Sequence, residues 1–189
     1  MSKIAVARFA STIGHPFAFI LLLILLPLWV RGQLSALRVA IIVGVAGLLP
    51  LGLFMRHRHA SGKWATVDAS DRADRPVAYL ATFAVVLPMS LYFRFVERSP
   101  ALFRGCAVIA LMLAIGAVLN RWIKLSGHMT FAGFSAVVLA RVVPGFSVMV
   151  ILFIPVLAWS RIALGRHTVP EVTIGLLLGM LAGGICMWG

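Results

Sequence analysis

Long apolar runs broken by short polar clusters set the pattern of this chain. The runs cover residues 13–30, 39–55, 77–93, 101–119, 127–143, 145–159 and 168–188. A helix needs about 20 apolar residues to cross a bilayer, and somewhat shorter runs span when their flanking residues reach for the interface. The pattern therefore predicts an all-α fold, a polytopic transmembrane helix bundle of about six to seven transmembrane helices, in a single domain over residues 1–189. The fifth and sixth runs are short, and Arg141-Val-Val-Pro-Gly145 between them joins a charge to a Pro-Gly turn signal, which predicts a tight hairpin instead of one long helix. Gly175, Gly179 and Gly183 recur every four residues in the last run, a stripe that lets two helix backbones approach closely.

Three polar clusters punctuate the runs: residues 56–76, 124–130 and 160–167. Two crossings separate the first from the second, and two more separate the second from the third, so the count places all three on one side of the membrane. Composition agrees with a membrane chain, since 62% of residues are hydrophobic and only 12% charged. The net charge of +12 arises from 17 Lys and Arg against five Asp and Glu, and most of these cations suit anionic lipid headgroups. They are scattered between apolar runs and form no single stripe, which argues against a nucleic-acid partner. Cys106 and Cys186 lie in apolar segments and have neither metal-ligand nor disulfide spacing.

The second and third clusters read Lys124-Leu-Ser-Gly-His-Met-Thr130 and Ser160-Arg-Ile-Ala-Leu-Gly-Arg-His167. Two imidazoles, a serine hydroxyl, a lysine and arginines suit a phosphate group. Cations neutralise it, one imidazole can attack phosphorus, and the other can supply a proton. Glu171 follows His167 by four residues, so a helix beginning near His167 would set the carboxylate beside the imidazole. His15, His57 and His59 belong to no such constellation and read as structural residues. No carboxylate cluster able to hold Mg²⁺ is present.

Asp71-Arg-Ala-Asp-Arg-Pro76, Ser126-Gly-His128 and Ser160-Arg161 with His167 together resemble the three motifs of the type 2 phosphatidic acid phosphatase superfamily, which also contains vanadium haloperoxidases. The resemblance spans Asp68 to Glu171 and implies a metal-independent membrane phosphatase without a cofactor. It makes His167 the nucleophile that forms a phosphohistidine and His128 the acid for the leaving oxygen. Arg75, Arg161, the Ser126 hydroxyl and the Gly127 amide would hold the phosphoryl oxygens, with Glu171 orienting His167. Three positions depart from the family pattern: Asp68 stands where it has Lys, Leu125 where it has Pro, and Glu171 where it has Asp. Arg72, Lys124 or Lys63 could replace the missing cation, with Arg72 preferred and Lys124 second.

The expected function is removal of phosphate from a lipid phosphate or diphosphate, such as a polyprenyl (di)phosphate or phosphatidic acid. The partners are that substrate and the membrane lipids. The rival expectation is a non-catalytic lipid-phosphate-binding protein or small transporter, which would carry charges deep in its helices or inverted repeats. Only Arg104 and Arg141 intrude on apolar runs, and no repeat is evident. Lys and Arg number eleven on the side of the polar clusters against six opposite, which places that side in the cytoplasm; the expected location is a bacterial inner membrane.

Overall fold

A computed structural model describes residues 2–31 and 34–188, with the side chains of 27–29 and 31–36 outside that description. Among the described residues the regular structure is entirely helical. Lipid offers no hydrogen-bond partners, and a helix satisfies each backbone group within its own segment. Among the described residues five helical runs are long and apolar enough to cross a membrane: Leu37–Ala60, Arg72–Phe95, Pro100–Leu119, Pro144–Ala163 and Val169–Trp188. Counting the bent N-terminal helix pair as one crossing gives six.

The residues group into two compact units. The first combines Met1–Ala40 with Ile123–Gly189. It opens with α1 (Lys3–Ile13), capped by the Ser2 hydroxyl, which accepts from the Ala5 amide at 3.2 Å. The sequence places the start of the first span at residue 13; the helix instead starts ten residues earlier and breaks there. Gly14 ends α1, and Pro16 restricts His15 while lacking an amide of its own, so α2 (Pro16–Arg31) leaves at 45°. The Phe17 amide donates to His15 Nδ1 at 3.2 Å and fixes that turn.

The same unit holds α7 (Gly127–Val142), α8 (Pro144–Ala163) and α9 (Val169–Trp188). Only Val143 separates α7 from α8, the tight hairpin that the Pro-Gly pair predicts, and the Ser147 hydroxyl ties the two by donating to the Ala136 carbonyl at 2.7 Å. At 16 residues, α7 is shorter than α8 and α9, which have 20 each. It packs most extensively against α9, through glycines on both sides. A β-carbon on Gly175 would sit 2.9 Å from the Ser126 carbonyl oxygen, and one on Gly179 would overlap the Thr130 carbonyl. From α7, Gly133 faces the Leu176 backbone in the same way. Phe19, Leu26, Met129, Leu139, Val150, Leu157 and Val172 form the apolar core of this unit.

The second unit, Ile41–Trp122, contains the C-terminal end of α3 (Leu34–Ile42), a π-helical segment Val43–Leu48, α4 (Leu49–Ala60), a 3₁₀ turn Arg72–Asp74, α5 (Arg75–Phe95) and α6 (Pro100–Leu119). The hydrophilic stretch after α4 folds around Trp64, which is 2% exposed, meets Phe54 edge to face and lies beneath the Arg58 guanidinium. Leu80, Leu87, Leu91, Leu111 and Val118 remain exposed along α5 and α6, as expected of surfaces that meet acyl chains.

Candidate functional site

In the first unit, the N-terminal ends of α7 and α9 and the C-terminal end of α8 are tied together by main-chain bonds. The Ser126 amide donates to the Glu171 carbonyl at 3.2 Å. After α8, the chain turns through Gly165, whose φ of +64° favours glycine, and the amides of Arg166 and His167 return to the Arg161 carbonyl. These bonds set His167 and Arg161 on one turn and bring that turn against the segment carrying Ser126, Gly127 and His128. Arg161 and His128 are buried, and Ser126 and Ser160 are fully so. Ser160 is a structural member, its hydroxyl donating to the Leu157 carbonyl at 2.8 Å.

The His167 side chain is 1% exposed, and its Nδ1 lies 3.2 Å from Glu171 Oε2 and 3.1 Å from the Lys124 carbonyl oxygen. An ionised carboxylate and a carbonyl only accept, so Nδ1 carries the hydrogen and Nε2 holds the lone pair of the neutral ring. The same carboxylate oxygen accepts from the Thr168 amide at 3.0 Å. Glu171 thus both reaches back from the first turn of α9 to the Thr168 amide and anchors the imidazole. The helix starts at Val169, two residues after His167, which still leaves the two side chains within reach.

A second polar set adjoins it. Arg161 Nη1 donates to the Ser11 hydroxyl at 2.6 Å, and that hydroxyl lies 3.4 Å from His128 Nε2. His15 stands edge to face against the His128 ring with centroids 5.3 Å apart. Gly127 opens α7 at an exposed position with open space where a β-carbon would lie. The first turn of a helix leaves amides without partners in that helix, so the start of α7 suits an anion. Ser126 precedes it, and its buried hydroxyl has no hydrogen-bond partner among the described residues. Such an orphan is costly unless a ligand or water meets it.

The unit therefore assembles Lys124, through its carbonyl, with Ser126, Gly127, His128, Arg161, His167 and Glu171. Arg72 and Arg75 belong to the other unit. There Arg72 is exposed and donates to the carbonyls of Arg121 at 3.4 Å and Trp122 at 2.9 Å, while its own carbonyl accepts from Asn120. It fastens the residues following α6. Arg75 is buried at the start of α5 and hydrogen-bonded to Tyr79, and Asp68 accepts from the Ser70 hydroxyl at 2.7 Å. Among the described residues no three His, Cys, Asp or Glu side chains gather as a metal site.

Sequence reasoning singles out neither Ser11 nor the packing of His15 on His128. Their available signal was modest: Ser11 lies on the last turn before the Gly-His-Pro break and His15 within it, four residues apart. No family model, curated protein or solved structure matches the chain.

Proposed function

We propose that this chain is an integral membrane phosphatase that removes phosphate from a lipid phosphate or diphosphate through a phosphohistidine. The observation that carries the reading is His167, whose Nδ1 is held between two acceptors so that Nε2 presents its lone pair. Nε2 attacks phosphorus and the bond from phosphorus to the leaving oxygen breaks, while His128 gives that oxygen a proton. Water then cleaves the phosphorus–nitrogen bond, and its proton returns to His128. Glu171 stabilises the imidazolium character that develops on His167 without taking its proton.

Arg161, the Ser126 hydroxyl and the amides at the start of α7 bind the phosphoryl oxygens. Phosphoryl transfer depends chiefly on such positioning and charge stabilisation, and these groups supply it without a metal. The motif resemblance supports the same roles. The apolar helices suit a substrate whose tail stays in the bilayer, with a polyprenyl phosphate or diphosphate first and phosphatidic acid next. The distribution of Lys and Arg supports a site on the cytoplasmic side.

The test is phosphate release from a lipid phosphate in detergent, with trapping of labelled phosphate on the protein. The parent should turn over and label. His167→Ala should lose roughly 10⁴-fold or more in rate and should not label, because the nucleophile is gone. Labelling that persists in His167→Ala would overturn the assignment, and saturable lipid-phosphate binding without turnover by the parent would replace it with a binding role.

A further inference from the structure

We infer that Ser11, on α1, is a positioning residue of the site proposed above. This inference rests on that reading and extends the site to a helix none of the three motifs includes. Ser11 lies 150 residues from Arg161 in sequence, yet its hydroxyl accepts from Arg161 Nη1 at 2.6 Å. The same oxygen is 3.4 Å from His128 Nε2. One buried hydroxyl thus joins a phosphate-binding guanidinium on α8 to a proton-supplying imidazole on α7.

A serine hydroxyl has one hydrogen and two lone pairs. One lone pair takes the Arg161 hydrogen. The hydroxyl hydrogen can then point at His128 Nε2 when that nitrogen is bare, and the second lone pair can accept from it when it is protonated. Rotation about a single bond lets Ser11 serve His128 in either state while Arg161 stays fixed. An arginine held by one of its five donors also has fewer conformations to lose when a phosphoryl group arrives.

Packing holds the hydroxyl in place. Ala7 and Ala10 are buried on the face of α1 that bears Ser11, and α1 packs on α8. Gly14 lets the end of α1 approach Leu157 and Phe153 of α8 so closely that a β-carbon would collide with Leu157. Rigid support of this kind is what reacting groups need, since a misplacement of about 1 Å can cost about 10²-fold in rate.

The test compares the purified full-length parent with Ser11→Ala and Ser11→Thr, using a lipid phosphate and an activated aryl phosphate. Ser11→Ala should lower kcat on the lipid phosphate about 10- to 100-fold with KM changed only a few-fold. Its loss on the aryl phosphate should be smaller, because a good leaving group depends less on His128. Ser11→Thr, which keeps the hydroxyl, should recover most of the rate. Melting temperature should match the parent in both variants. Equal losses on both substrates, or a Ser11→Ala protein as active as the parent, would overturn the role of Ser11 and leave the phosphatase reading standing. A parent that hydrolyses neither substrate would overturn both, and the parent arm alone identifies that case.

Discussion

The two units handle polarity in different ways. In the unit built from Met1–Ala40 and Ile123–Gly189, nine polar or charged residues are buried among those described, against four in Ile41–Trp122. The nine include Ser11, Ser126, His128, Arg161 and His167, which bond to one another or lie next to residues that do. The four are Ser70, Arg75, Ser90 and Asn120, and three of them lie where a helix begins or ends or in the loop before one. Desolvated polar groups are tolerated where they are mutually satisfied or await a ligand. In the first unit Ser126 and Thr130 lie against Gly175 and Gly179 of α9 and Ser11 bonds Arg161 between α1 and α8, whereas the second applies arginines to carbonyls and rings.

The largest way to break that contrast is steric. Gly179→Leu would drive a side chain into the Thr130 carbonyl, separating α9 from α7, and should cost at least about 3 kcal/mol, seen as loss of monodisperse protein in detergent. Gly105→Ala, in the second unit and facing open space, should leave yield and melting temperature unchanged. If both variants behave alike, the glycine contacts are not what holds the first unit together.

Charge removal should sharpen the comparison next. Arg161→Ala is expected to lower turnover by roughly 30- to 1000-fold, the loss of about 2 to 4 kcal/mol of transition-state stabilisation. Arg72→Ala should stay within about threefold of the parent rate while lowering the melting temperature, because its guanidinium is engaged by the Arg121 and Trp122 carbonyls. A large rate loss from Arg72→Ala at unchanged stability would instead give Arg72 the phosphate-binding role that the sequence prefers for it.

The smallest expected effect is none. Activity should survive EDTA, since arginine, hydroxyl and amide donors carry the phosphoryl charge in the proposed mechanism. Loss on chelation that Mg²⁺ restores would require a different chemistry.

Several features were legible without tertiary structure. Apolar runs separated by charges mark helices because an unpaired backbone group cannot be left in lipid, and the runs at 101–119, 145–159 and 168–188 correspond to α6, α8 and α9. The Arg-Val-Val-Pro-Gly turn, the helix-facing role of Gly175, Gly179 and Gly183, and the contact of Glu171 with His167 all follow from spacings of five residues or fewer. Such spacings are set by local backbone geometry, which sequence states directly. The first helix was not legible in this way. Residues 3–12 mix Lys, Arg, Ser and Thr with apolar positions, and only packing against α8 shows them as α1.

Tertiary structure alone decided the partners. Ser11 meets Arg161 across 150 residues of chain, and Lys124 serves His167 through its carbonyl while the sequence drew attention to its charge. Arg72 shows the same limit: sequence records its charge without saying which acceptors it meets, and the fold brings its guanidinium to the Arg121 and Trp122 carbonyls just after α6. Residue types limit which chemistry is possible, but long-range contacts depend on how whole helices pack, and no local pattern encodes that distance.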